Sequence, residues 1–106
     1  MKHTIYPCIW FNNNAAEAAD FYSSVFNNTS LVSQSPFVSL LEVNGQKIMC
    51  LNGGPQFTPN PTISFYMVCE TQAELTKTWK GLMKDGSVFM PLDQYEWSEQ
   101  YGWLSD

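Results

Sequence analysis

Residues 4–26, TIYPCIWFNNNAAEAADFYSSVF, and residues 62–83, TISFYMVCETQAELTKTWKGLM, read as one pattern written twice. Thr4 to Phe11 is rich in β-branched and aromatic residues and stops at Asn12-Asn13-Asn14, so a strand is expected there. Asn14 with Glu17 forms a capping-box-like start. Behind it Ala15, Ala18, Ala19, Tyr22, Val25 and Phe26 fall on one helical stripe, and Asn27-Asn28 ends the helix. In the second stretch Thr62 to Cys69 reads as a strand and Thr71 with Glu74 as a capping box. Leu75, Thr78, Trp79, Leu82 and Met83 make the apolar stripe, and Gly86 supplies the stop. The strand openings lie about 58 positions apart and the caps about 57, which points to an internal duplication.

Between the two stretches, Thr29 to Ser33 and Phe37 to Val43 are expected strands, with Pro36 between them. Asn44-Gly45 is the strongest turn signal, because a type I′ hairpin needs positive φ at both central residues. It sets Val43 opposite Gln46, Glu42 opposite Lys47, Leu41 opposite Ile48 and Leu40 opposite Met49. The opposed charges are worth roughly 0.2–1 kcal/mol. The strand runs to Leu51 and breaks at Asn52-Gly53-Gly54-Pro55, and a proline-rich loop follows to Pro61. After the second helix a strand is expected over Ser87 to Met90, a turn-rich stretch from Pro91, and a strand over Tyr101 to Leu104. The second repeat is therefore short by about one strand.

The 106 residues make one small domain, with 44% apolar and 15% aromatic residues to fill a core. Five basic against ten acidic residues leave a net charge of −5, which argues against nucleic acid or an anionic membrane as partner. No apolar run reaches membrane-spanning length, and no apolar signal core opens the sequence. Cys8, Cys50 and Cys69 sit in apolar runs without C-x-x-C spacing, and read as buried free thiols of a cytoplasmic protein. Cys69, two residues before a helix cap, is the one mild candidate for a reactive thiol.

His3 is the single histidine and reads as an exposed terminal residue; alone it makes neither a metal site nor a hydrolytic triad. Asn52-Gly53-Gly54 lacks the G-K-[ST] of a phosphate loop. It reads either as a strand exit needing positive φ, or as backbone that approaches a ligand with Asn52 offering its amide. Trp10, Phe11, Phe65, Tyr66, Tyr95, Trp97, Tyr101 and Trp103 lie on or beside strands. Aromatic walls with a few amides suit a pocket for a flat or apolar small molecule.

The segments PCIWFNNNAAEAADFYSSVF, MCLNGGPQFTPNPTISFYMVCET and VFMPLDQYEWSEQYGWLSD resemble PhnB-like proteins, the 3-demethylubiquinone 3-methyltransferase-type domains. These belong to the vicinal-oxygen-chelate superfamily with glyoxalase I, bleomycin-resistance proteins and extradiol dioxygenases. The resemblance implies an α+β fold: two βαβββ modules, 1–61 and 62–106, forming a curved mixed sheet whose concave side holds the ligand, the second module lacking its last strand. It implies a homodimer. Relatives continue past a W-L-x-D element with a further strand, and this sequence reaches that element at its last residues. Metal-using relatives take ligands at places that fall here near Tyr6 or Pro7, at Cys50 to Asn52, and at Thr62 or Ser64, none of them His or Glu. No metal and no cofactor are therefore expected. No glycine-rich nucleotide loop follows the first strand to hold S-adenosylmethionine.

The resulting expectation is a cytoplasmic PhnB-like protein that binds or transforms a small hydrophobic or aromatic molecule without a metal. Its candidate ligand wall is Trp10, Met49, Asn52, Phe65 and Trp103. The alternative is a non-catalytic sequestering module of the bleomycin-resistance kind, whose acidic charge would suit a cationic guest. The C-terminal strand, with Trp97, Tyr101 and Trp103, is expected to have an open edge that a dimer partner covers.

Overall fold

The computed structural model describes residues 4–96 and 98–106, so the readings for His3 and Trp97 fall outside it. The fold is α+β, with two helices and six strands in two sheets among the described residues. The chain divides into two compact units, the first ending at Asn60 and the second beginning at Pro61. Among the described residues no helix is long and apolar enough to cross a membrane.

The first unit holds β1 (Cys8–Phe11), α1 (Ala15–Val25), β2 (Thr29–Gln34), β3 (Val38–Val43) and β4 (Gln46–Asn52). Its sheet runs in the order β1-β4-β3-β2, with β1 parallel to β4 and the other pairs antiparallel. The expected βαβββ module is present. β1 begins at Cys8 rather than Thr4; Pro7 has no N–H for a ladder, although its carbonyl accepts from Met49 N–H at 2.9 Å. Helix α1 buries Ala15, Ala19 and Val25. Small side chains let the helix axis come close to the sheet, and Ala15 and Ala19 pack with Leu41 and Cys50, flanked by Phe11 and Tyr22.

The β3–β4 hairpin has the expected register throughout, from Val43 opposite Gln46 to Leu40 opposite Met49. Asn44 at φ 50° and Gly45 at φ 89° are both left-handed, as a type I′ turn requires. Asn28 anchors the turn from the helix end: its carbonyl accepts from Asn44 N–H at 2.9 Å, and its Nδ2 donates to Asn44 Oδ1 at 3.1 Å. The β2–β3 ladder shifts register between Leu31 and Ser33, leaving Val32 exposed at the bulge.

The second unit holds α2 (Gln72–Met83), β5 (Ser87–Tyr95) and β6 (Ser98–Ser105). Thr71 caps α2 as expected, its side chain accepting from Glu74 N–H at 3.1 Å. At the other end Asp85 takes the left-handed conformation (φ 62°), while Gly86 N–H closes the turn on Met83 O at 2.9 Å. The expected turn-rich stretch from Pro91 is instead strand. β5 and β6 form an antiparallel pair whose register shifts three times, and Pro91 sits within one of those irregularities.

The largest departure from expectation is Thr62 to Cys69, which forms no strand. Ile63 is 83% exposed, Phe65 56%, Tyr66 75%, Met67 42% and Val68 77%. The composition suits a strand, but a strand exists only through its ladder. Among the described residues of the first unit the opening strand is paired by β4 alone. Among the described residues of the second unit the two strands pair only with each other, and no counterpart of β4 is present.

Candidate functional site

Strand alternation divides the first unit's sheet into two faces. Ile9 and Phe11 lie level with Cys50 and Asn52, and Cys50 with Ser39. This is the face packed on α1. The other face carries two rows of apolar side chains: Cys8, Met49 and Leu40 in one, Trp10, Leu51 and Val38 in the next. Apart from exposed Cys8 these residues are half-buried. The expected wall residues Trp10 and Met49 are thus brought to one face, on neighbouring strands.

The Asn52-Gly53-Gly54 turn immobilises Trp10. The indole Nε1–H donates to Gly54 O at 2.8 Å. Gly53 lies so close to the indole that a Cβ there would collide with its ring carbons. Phe57 meets the same ring edge-on, with centroids 5.1 Å apart and planes at 80°. Trp10 is therefore a rigid aromatic surface with its polar edge already hydrogen-bonded, and it offers a π-face and carbon edges. Phe57, Val38, Leu40 and Leu51 were not expected at this face. Period-2 counting along the two hairpin strands gives the last three; Phe57 lies in a loop with no periodic signal.

Asn52 lies on the opposite face, level with Phe11. Its Oδ1 accepts from Ala15 N–H at 2.9 Å and its Nδ2 donates to Pro36 O at 3.0 Å. The first of these bonds caps α1. Asn14 occupies the N-cap position but makes no side-chain cap bond, so the local capping box expected there is replaced by a cap from β4. Asn52 N–H also donates to Phe37 O at 2.8 Å and Gly53 N–H to Phe11 O at 2.9 Å. The strand exit is a joint between α1, the β2–β3 connection and the Trp10 strand.

Phe65 and Trp103 belong to the second unit. Phe65 is on the exposed Thr62–Cys69 run. Trp103 stands opposite Met90 in the β5–β6 ladder and contacts Phe89 edge-on, with centroids 5.2 Å apart.

The three thiols differ. Cys8 is exposed, against the expectation of burial, because it points away from α1 at a sheet edge; Cys50 is buried and Cys69 half-buried. Burial, and then the neighbouring Cys8, push the Cys50 thiol up to about 11. Burial and the Glu74 carboxylate raise Cys69, so the helix cap does not make it a ready thiolate. Among the described residues no three His, Cys, Asp or Glu side chains cluster as a metal site.

Residues 3–106 match the family model of 3-demethylubiquinone-9 3-methyltransferase. Among solved structures, a PhnB protein of Bacillus cereus, described as a candidate 3-demethylubiquinone-9 3-methyltransferase, shares 32% identity at a TM-score of 0.89. The match covers 98% of this chain and 92% of that one. Protein PA1353 of Pseudomonas aeruginosa has the same fold, with a TM-score of 0.75 at 23% identity over 99% of this chain and 90% of that one. The curated protein sequences give no match.

Proposed function

The chain belongs to the PhnB-like 3-demethylubiquinone-9 3-methyltransferase family, and on that premise we propose that it binds or transforms a small hydrophobic or aromatic molecule without using a metal. The observation that carries this reading is the face opposite α1. There the fixed indole of Trp10 stands beside Met49, Leu51, Leu40 and Val38, and α1, the one helix among the described residues of the first unit, packs on the other face. A rigid ring with its N–H already bonded loses little conformational freedom when a flat guest stacks on it. Met49 adds an adaptable thioether edge. Phe65 and Trp103 of the second unit are also proposed as ligand-binding residues. Asn52 serves it by holding the Gly53-Gly54 turn that clamps the indole. The protein is proposed to work in the cytoplasm as a homodimer.

The test is a panel of uncharged and cationic aromatic compounds, screened by saturation-transfer NMR against the full chain. Trp10→Ala should weaken the best binder at least tenfold, and Trp103→Ala should weaken it as well. Unchanged affinity in a folded Trp10→Ala protein would place the pocket elsewhere. Mass spectrometry of the recovered compound separates turnover from sequestration, and an unaltered cationic guest would favour the sequestering alternative. Sedimentation of the same sample reads the dimer.

A further inference from the structure

We propose that Asn44 is a self-modification site: the backbone nitrogen of Gly45 attacks the Asn44 side-chain amide and converts it to a carboxylate, selectively at the tip of the β3–β4 hairpin. The reaction needs an Asn or Asp followed by Gly, where no Cβ hinders the attacking nitrogen. The chain holds three such pairs: Asn44-Gly45, Asn52-Gly53 and Asp85-Gly86. The fold closes two of them. Gly53 N–H donates to Phe11 O and Gly86 N–H to Met83 O, both at 2.9 Å. A nitrogen whose proton is held in a hydrogen bond is a poor nucleophile, because it must first give that proton up. The Asn52 amide is also fixed at both ends, on Ala15 N–H and Pro36 O, and Gly53 lies against the Trp10 indole. Gly86 is crowded by the carbonyls of Leu82 and Ser105.

Gly45 is different on each count. It is exposed, nothing lies within 4 Å of the place a Cβ would take, and among the described residues its N–H has no backbone acceptor. Asn44 is exposed as well. Its Oδ1 accepts from Asn28 Nδ2 at 3.1 Å. That donor sits on the oxygen that gathers negative charge as Cγ becomes tetrahedral. Rotation at Asn44 must bring Gly45 N onto Cγ, and fraying of the open hairpin tip is enough to allow it.

The step balances without any partner but water. Gly45 N loses its proton to solvent and bonds to Asn44 Cγ. The Cγ–Nδ2 bond breaks, and Nδ2 takes up a proton and leaves as ammonia. Water then opens the cyclic imide. Opening at Cγ leaves an aspartate with the backbone unchanged, still able to accept from Asn28. Opening at the main-chain carbonyl leaves an isoaspartate, whose backbone runs through Cβ. The longer link does not fit a two-residue turn, and that turn sets Leu40 opposite Met49 and Val38 opposite Leu51. Modification therefore loosens the sheet that carries Trp10, a consequence for ligand binding that rests on the function proposed above; the modification itself does not.

The test stores the full chain in mildly alkaline buffer at physiological temperature, beside a second sample kept unfolded in urea. Peptide mass spectrometry with electron-transfer fragmentation locates the change and tells aspartate from isoaspartate. In the folded chain Asn44 should be modified at least tenfold faster than Asn52. In urea the two rates should agree within about twofold, since both bonds are Asn-Gly and the folded contacts are gone. Amide-exchange protection of β3 and β4 next to the turn should fall in step with the isoaspartate. Asn44→Gly suits the same left-handed turn, and its hairpin protection should not decay on storage. Equal rates at Asn44 and Asn52 in the folded chain would overturn the proposal. So would an intact Asn44 in the folded chain while both sites react in urea, because the turn would then be holding Gly45 N away from Cγ.

Discussion

Asn52→Ala removes two hydrogen bonds at once, from Ala15 N–H and to Pro36 O. The cap on α1 is worth about 1 kcal/mol. The second bond adds roughly 0.5–1.5 kcal/mol. Ala15 is fully buried, so its N–H is left poorly solvated when the acceptor goes. The expected loss is about 2–3 kcal/mol. Asn14→Ala should cost less than about 0.5 kcal/mol, because Asn14 makes no side-chain cap bond. Asn52→Asp keeps an acceptor for Ala15, places a negative charge at a helix N-terminus, and loses only the donor to Pro36; it should fall between the two. Urea unfolding followed by circular dichroism at constant m-value reads all three. If Asn14→Ala costs a full cap while Asn52→Ala is nearly neutral, the cap is local and the joint described here does not exist.

Gly53→Ala forces a methyl group into the indole of Trp10; a loss of about 1–3 kcal/mol and a changed near-ultraviolet Trp signal are expected. Cys50 titrates near 11 folded against 9.0 unfolded, so the unfolded state releases this proton first as pH rises. Its contribution, at most roughly 2–3 kcal/mol, is whole below pH 9 and disappears between 9 and 11; denaturant midpoints of wild type and Cys50→Ala should converge over that range, and parallel curves would refute the assignment. Iodoacetamide at neutral pH should modify exposed Cys8 well before Cys50, as read by peptide mass. Elemental analysis of purified protein should find far less than one metal per chain; a stoichiometric metal lost on mutating residues of the Trp10 face would contradict the proposed function.

What could be read in advance depended on how local each determinant was. Asn44-Gly45 announced its hairpin because two adjacent residues alone satisfy the turn, and the whole β3–β4 register follows from them. The α1 stripe was legible for the same reason. The α1 cap was misplaced because Asn14 has the right residue type in the right local position, while the acceptor comes from Asn52. Thr62–Cys69 has strand composition, yet pairing is a property of two segments. Pro91 suggested a break, but an edge ladder with shifted register tolerates it. Trp10 and Met49 of the candidate wall lie on one face of the sheet, and alternation along paired strands is the signal that carries that placement. It could not show that the glycines after Asn52 lie against the indole.

The Asn52 joint also orders events during synthesis. Helix α1 is complete by Val25, but the acceptor for its first amide stands 37 positions further along the chain, and the Trp10–Gly54 bond spans 44. A short helix without its cap and without the sheet beneath it is marginal in water. A nascent chain that has exposed residues up to the β2–β3 connection therefore carries a fraying α1, and lasting order waits for β4 to emerge and close both long loops together. Loop closure of this kind slows folding. It also makes the first repeat all-or-none: a cut anywhere before Gly54 leaves α1, the hairpin and the indole without the contact that unites them.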